Sequence, residues 1–390
     1  MAGLVIKPRS RIYHGHDWVY TSEVLKAFGS PQDGEVVSLK DGQDRLLGSA
    51  IYNSKSQIIA RRISRQRQDL DADFFQRRIA LAVKYREQCE GVDPRLCRLI
   101  WSESDGLPGV IVDRYGDHLV LQTLTLAMDR QKAIIVDALR TVLAPASIVE
   151  RNDSSIRKAE GMEPQVGVLH GEAPPPFEIE VHGMQFEIDL LHGQKTGFYL
   201  DQLKNYAAVA HHARGLRVLD CFANQGAFAL ACAKAGASEV TAVDISTECV
   251  ALTRRNATRN GLAVDAVTAN VFDFFKELER KQAQFDLVIL DPPSFTKSKG
   301  KLTDALRGYK EIHLRALKLL APGGRLATFC CSHHVTGEIF KEVINEAAVD
   351  ARKTLRQTAS YSQGLDHPII STLPETEYLK GFLFELVPGR

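Results

Sequence analysis

Hydrophobic and polar positions follow three successive patterns along this chain. Over residues 1 to 70, short β-rich runs are separated by turn residues. These runs are Gly34-Glu35-Val36-Val37-Ser38-Leu39, Leu47-Gly48-Ser49-Ala50-Ile51-Tyr52 and Gln57-Ile58-Ile59-Ala60-Arg61-Arg62, bounded by Asp-Gly and Asn-Ser-Lys turns. The pattern predicts a small barrel. From Asp73 to Gln88 the period becomes helical, with apolar residues at Phe74, Phe75, Ile79, Ala82 and Val83. Val110 to Tyr115 and His118 to Gln122 then flank Gly116-Asp117 as a hairpin, Ala127 to Val142 reads as a helix, and Ser147 to Arg151 as a strand. Gly171 to Pro176 is a surface loop, and Phe177 to His182 and Met184 to Leu190 are two further strands. Residues 71–190 therefore predict a small α+β middle domain.

From about residue 215 strands and helices alternate, the signature of a parallel sheet. Leu216 to Asp220 precedes a helix from Ala227 to Ala235; Glu239 to Asp244 precedes a helix from Thr247 to Asn260, stopped by Gly261. Strands follow near Ala266 to Ala269, Phe285 to Leu290 and Arg325 to Cys330. The fold class is α/β, with a Rossmann-like sheet in residues 191–390. In such open sheets the C-terminal strand ends form the ligand crevice.

The chain has 390 residues, 44% hydrophobic and 25% charged, as in ordinary globular proteins. No apolar stretch approaches a membrane span and no signal peptide is visible, so a cytoplasmic protein without a membrane partner is expected. A net charge of +1 makes no global case for a polyanion. The first seventy residues differ, with 11 Lys+Arg against 7 Asp+Glu and with Arg61, Arg62, Arg65 and Arg67 closely spaced. Such a stripe suits phosphate contact or is a solvated face. The 7 cysteines form no Cys-x-x-Cys pair, and no His spacing completes a zinc site, so no metal is expected. Cys221, Cys232 and Cys249 lie in apolar segments as small core residues.

Asp220-Cys221-Phe222-Ala223-Asn224-Gln225-Gly226 joins the first parallel strand to its helix, and Asp244 ends the second strand. A glycine in such a loop lets backbone approach a ligand, the helix start supplies free amides, and a strand-end carboxylate suits both hydroxyls of an adenosine ribose. The loop lacks Gly-x-Gly-x-x-Gly, which a pyrophosphate needs and a sulfonium amino acid does not, so S-adenosylmethionine is favoured over a nicotinamide cofactor. Asp220 is placed to meet the cofactor's ammonium. Phe222, Gly226, Ile245, Asn270 and Val271 complete the candidate pocket, with adenine near Asn270. The competing reading makes Asp220 and Asp244 helix caps and Asn270 a turn residue.

Two further strand ends carry the reaction. Asp291-Pro292-Pro293 is a rigid extended turn, because each Pro fixes φ and restricts its predecessor; its carbonyls suit a planar amino-bearing base. Cys331 follows the strand ending in Phe329-Cys330. Carbon 5 of a pyrimidine is too weak a nucleophile to take a methyl group directly, and thiolate addition at carbon 6 activates it. Methylation of a nitrogen lone pair needs no thiol. Asp291 and Cys331 are the candidate catalytic pair, and Cys330 should alternate to the opposite face and pack in the core. His333 and His334 read as polar loop residues.

These residues resemble a known family, the PUA-domain class I methyltransferases that make 5-methylcytosine in 23S ribosomal RNA (the RlmI type). The matching stretches are Lys195 to Gln202, Val218 to Phe222, Asp291 to Phe295, Arg307 to Lys310, Phe329 to Ser332, Asp366 to Pro368 and Tyr378 to Phe382. His16 to Tyr20 and the early strands resemble the family's PUA domain. The resemblance implies a PUA-like RNA-binding barrel over 1–70, S-adenosylmethionine as cofactor and ribosomal RNA as partner, and it leaves room for a homodimer. It makes Cys331 the nucleophile, puts Asp220, Asp244, Asn270 and Asp291 around the cofactor, and lays Lys195 to Gln202 over its methionine end with Tyr199 and Asp201 nearest. The chain departs from the family at Leu203 and Tyr206, where arginines are usual, at Ala223 to Ala227, at Asn270, where Asp is usual, and at Cys330, where Ser is usual. A guanine N-methyltransferase of ribosomal RNA and a catalytically silent RNA-binding assembly factor of the same fold are the alternatives.

Overall fold

The computed structural model describes residues 2–193, 196–295 and 299–389. The chain forms two compact units. The first comprises residues 1–177, 188–200 and 364–377, and the second residues 178–187, 201–363 and 378–390. Among the described residues no helix is long and apolar enough to cross a membrane.

The first unit opens with a six-stranded sheet in the order Trp18–Val19, Ala60–Ser64, Leu46–Tyr52, Val36–Lys40, Gly3–Ile6, Val24–Phe28. Alternating residues such as Leu4, Ile6, Val37 and Leu39 fill its core. Gly3 is required where strands crowd, since a Cβ there would lie 2.3 Å from the Ser38 carbonyl oxygen. The strand expected from Gln57 begins at Ala60 instead. Asn53 closes the preceding loop by donating its amide to the Ile59 carbonyl at 3.0 Å, which keeps residues 57–59 out of the ladder.

A five-stranded sheet follows in the same unit, ordered Gln165–Gly171, Ser147–Asn152, His118–Thr123, Val110–Tyr115, Leu96–Trp101. The predicted hairpin is present, with Tyr115 opposite His118 across Gly116-Asp117. Helix Ala72–Gln88 is capped by Asp71, whose carboxylate accepts the Phe74 amide, and it buries Phe74, Phe75, Ile79 and Ala82 against this sheet's core. The single helix expected over Ala127 to Val142 is two, Leu126–Arg130 and Lys132–Leu143, broken at Gln131, which leaves helical geometry at ψ 9°.

The four-arginine stripe is not a free basic face. Arg61 donates to Glu103 at 2.7 Å and lies over the Trp18 ring, while Arg62, buried, donates to Asp17 at 2.8 Å. Both were drawn inside because a guanidinium at a strand position facing a carboxylate is better paired than solvated once its stem is packed. Arg65 and Arg67 remain exposed.

The second unit is built on a seven-stranded sheet. Its strands are β1 (Arg217–Cys221), β2 (Glu239–Asp244), β3 (Asp265–Thr268), β4 (Phe285–Leu290), β5 (Leu320–Cys330), β6 (Leu355–Ser362) and β7 (Lys380–Leu386), in the order β3-β2-β1-β4-β5-β7-β6. All neighbours are parallel except β7, which runs antiparallel to β5 and β6. The helices are α1 (Leu203–Ala210), α2 (Ala227–Lys234), α3 (Thr247–Arg259), α4 (Val271–Arg280), α5 (Leu302–Leu319) and α6 (Gly337–Asp350). Leu219, Cys221, Val288, Leu290, Leu326 and Cys330 pack toward α4, α5 and α6 in one core. β5 starts earlier than expected: Leu320 pairs with Phe285, the strand bulges through Pro322-Gly323-Gly324, and pairing resumes at Arg325.

Candidate active site

Strand register brings the site together. Cys221 lies opposite Val243 on one side and Leu290 on the other, so Phe222, Asp244 and Asp291 leave β1, β2 and β4 at one level. The order reverses at β1, with β2 beside it on one side and β4 on the other, and this is the switch point where open sheets hold ligands. β5 is next to β4, with Leu290 opposite Thr328, so Cys331 emerges beside the Asp291 turn.

The loop after β1 is tightly specified. Phe222, Asn224 and Gly226 have φ of 63°, 49° and 82°, three left-handed residues in five. A Cβ at Gly226 would meet Thr253 Cγ2 at 2.6 Å, so close packing as well as backbone angle demands glycine. Asp244 holds the loop. Its Oδ2 accepts the Asn224 amide and its Oδ1 the Ser246 amide, both at 2.9 Å, leaving each oxygen a further acceptor position.

Asp220 is buried in β1, facing the first turn of α2. Its Oδ2 accepts the Ala229 amide at 3.0 Å, while its Oδ1 has no partner among the described residues. Burial pushes this carboxyl well above its usual range, and the nearby Asp291 and Asp244 charges push it further. A buried carboxylate with an orphaned oxygen and acidic neighbours is suited to a cationic ligand. S-adenosylmethionine, with its sulfonium and ammonium, has that character.

At the other strand ends, Gln202 donates from Nε2 to Asp291 Oδ2 at 3.0 Å and accepts from Asn205 Nδ2 at 2.6 Å. Asn205 also donates to the Ser362 carbonyl at 3.0 Å. Asp201, buried, accepts from Tyr378 Oη at 2.7 Å. Lys380 Nζ donates to the carbonyls of Ser332 at 2.6 Å and Tyr378 at 2.8 Å, tying the end of β5 to the start of β7. Gly381 makes room for this, because a Cβ there would lie 2.5 Å from the Phe329 ring.

The paired thiols have different surroundings. Cys330 is fully buried on the α5 side, 3.3 Å from Tyr309 Oη, and burial raises its pKa. Cys331 is half-buried at the strand end. Phe329 faces the opposite way and packs on Phe228 of α2 at 5.2 Å. His333 and His334 are exposed, the former 5.8 Å from the Tyr378 ring.

Among the sequence-predicted residues, Asp201, Asp220, Phe222, Gly226, Asp244, Ile245, Asn270, Val271, Asp291 and Cys331 all fall in the second unit, and Tyr199 falls in the first. Lys195 lies outside the described residues. Ile245 is 68% exposed directly after Asp244, an apolar surface free for a planar ring. The Val271 side chain is buried in the core instead. β3 ends at Thr268, before Asn270, whose Oδ1 caps α4 by accepting the Phe272 amide at 3.0 Å. The residues not singled out from sequence are Gln202, Tyr378 and Lys380. They stand in stretches that carried the family resemblance, but the contacts that give them work are with distant residues.

The profile of the S-adenosylmethionine-dependent methyltransferases matches residues 136–362, and that of the PUA-like domain residues 7–65. Ribosomal RNA large subunit methyltransferase I of Erwinia tasmaniensis is 40% identical over 380 residues, covering 95% of this chain and 96% of that protein. The protein of the same name from Shigella boydii is 39% identical over 375 residues, covering 94% of each. A Streptococcus mutans structure solved as a candidate S-adenosylmethionine-dependent methyltransferase superposes with a TM-score of 0.85 at 24% identity, over 99% of this chain and 100% of that one.

Proposed function

We propose a reaction for this protein from the premise that the chain belongs to the S-adenosylmethionine-dependent methyltransferases, in the family of ribosomal RNA large subunit methyltransferase I. The reaction is methylation of carbon 5 of a cytosine in the 23S RNA of the large ribosomal subunit. The cofactor would be held by Asp220 and Asp244 with the loop from Phe222 to Gly226, and Ile245 would offer its surface to adenine. When bound, S-adenosylmethionine supplies an electrophilic methyl group.

The protein's own part begins with Cys331. Its thiolate adds to carbon 6 of cytosine, and the electron pair displaced from the 5,6 double bond makes carbon 5 nucleophilic. After methylation a base removes the carbon 5 proton, the carbon 6–sulfur bond breaks, and the double bond and the thiolate are both restored. Asp291, oriented by Gln202 in its rigid turn, would face the amino edge of the base.

The observation that carries this reading is the division of labour between neighbouring thiols. Cys330 is sealed in the core against Tyr309, and Cys331 stands at the strand end beside Asp291. A nitrogen methyltransferase would have no use for a thiol there. Cys331→Ala should abolish methyl transfer while calorimetry still finds S-adenosylmethionine bound, and Cys330→Ser should keep most activity. RNA carrying 5-fluorocytosine should trap an adduct on Cys331, since fluorine does not leave as a proton does. Full activity in Cys331→Ala, or an adduct on Cys330, would sink the assignment. A methylated guanine as product would install the nitrogen methyltransferase in its place.

A further inference from the structure

A cavity of about 510 Å³ opens within the first unit. One wall is the end of strand Ala60–Ser64 and Arg65; the opposite wall is helix Ala72–Gln88, which contributes Arg78, Leu81 and Tyr85 from one face. The rim is completed by residues around Ser104 and Ile370.

Its charges do not balance locally. The three carboxylates at its lining are already engaged: Asp17 by Arg62 at 2.8 Å, Glu103 by Arg61 at 2.7 Å and by the Trp18 indole at 2.8 Å, and Asp105 by a bidentate pair with the buried Arg86. Two guanidinium groups are left. Arg78 donates once, to the Ile63 carbonyl at 3.1 Å, and among the described residues has no carboxylate within 4.0 Å. Burial, then the charge of Arg77, disfavour its protonated form and Asp17 offsets them only in part, so an anion in the cavity would relieve it. The backbone of Gly106 packs against this group, since a Cβ there would lie 2.8 Å from Arg78 Nη1, which holds the guanidinium in place. Arg65 is exposed at the mouth and has no ion pair among the described residues.

Beside these cations lies uncovered apolar surface. Leu81 is 62% exposed and Tyr85 39%, one turn apart on the same helix face. The Tyr85 hydroxyl donates to the Leu365 carbonyl at 3.3 Å, which fixes the ring. A planar fork for phosphate next to a fixed aromatic and aliphatic wall is the chemistry that recognises a single-stranded nucleotide.

We infer that this cavity receives an unpaired nucleotide of the RNA, its phosphate between Arg65 and Arg78 and its base against Leu81 and Tyr85. The inference rests on the reading of the substrate as RNA, and it assigns a second contact apart from the methylated base. An acidic peptide would satisfy the arginines but would leave the Leu81–Tyr85 wall unused.

The test uses the full chain and a fluorescein-labelled, mixed-sequence single-stranded RNA, with anisotropy read over a series of salt concentrations. The double variant Arg65→Gln with Arg78→Gln should bind about tenfold more weakly and lose roughly 0.7 from the slope of log affinity against log salt, the share of one neutralised phosphate. Tyr85→Ala should weaken binding about tenfold with the salt slope unchanged, because stacking releases no counterions. All variants should bind S-adenosylmethionine as the parent does. Parent-like affinity and slope in the double variant, with RNA still bound, would overturn this inference and leave the RNA reading standing. A parent protein that binds no RNA would overturn both. Displacement of the RNA by a polyglutamate peptide whose own binding ignores Tyr85→Ala would give the cavity to an acidic segment instead.

Discussion

Gln202 and Asp291, 89 residues apart, are joined by a 3.0 Å hydrogen bond from the Gln202 amide to the Asp291 carboxylate. The other end of the Gln202 amide is held by Asn205, so its orientation is fixed. Gln202→Leu removes both bonds and leaves the Asn205 amide only its bond to the Ser362 carbonyl, for a stability loss of about 1–3 kcal/mol. Gln202→Glu is more informative, because it sets a second carboxylate against Asp291 and raises the pH at which the pair gives up its last proton. Single-turnover methyl transfer should then show a pH dependence in the acid-to-neutral range that the parent lacks. A parent-like profile in Gln202→Glu would mean that Asp291 takes no part in the reaction.

Asp220 should trade stability for cofactor binding. Its folded pKa is raised by burial, so its contribution to stability is complete below the usual carboxylate range and is lost as pH rises through the raised value. At neutral pH the cofactor-free protein therefore carries a cost that Asp220→Asn removes, while the Asn oxygen can still accept the Ala229 amide. The variant should melt higher than the parent at pH 7 without cofactor, and calorimetry should find S-adenosylmethionine bound more weakly. Unchanged cofactor affinity would show that Asp220 serves the helix amide and not the ligand.

His313 supplies an acid-sensitive point in the core of the second unit. Fully buried, it donates from Nδ1 to the Tyr309 carbonyl at 2.6 Å and meets Thr328 Oγ1 at 2.8 Å through Nε2. Burial lowers its pKa from 6.5 to about 4, so the unfolded chain takes up the proton first and stability falls as pH drops between those values. The full effect is roughly 3 kcal/mol. Urea denaturation from pH 7 to 4 should show that decline, and His313→Gln should start less stable and lose less over the same window. An identical slope in the variant would place the acid sensitivity elsewhere.

Much of the second unit was legible along the chain, because parallel strands buried on both faces are written as apolar runs and their polar ends stand out: Asp220, Asp244, Asp291 and Cys331 were each found at the end of a run. The division between Cys330 and Cys331 followed from strand alternation alone. The glycine of the first strand-to-helix loop, Gly226, was legible too, although its close approach to Thr253 was not. Tertiary structure decided the rest. Arg61 and Arg62 look like a basic stripe until Glu103 and Asp17 are folded onto them, and Arg65 and Arg78 acquire meaning only because their neighbours' charges are used up. Asn270 shifted from strand end to helix cap, and Gln202, Tyr378 and Lys380 gained roles through hydrogen bonds to Asp291, Asp201 and Ser332. Periodicity reports which face of an element is buried. The hydrogen-bond and charge partners of a polar side chain depend on which distant segments arrive beside it, and that was set only when the strands took their order in the sheet.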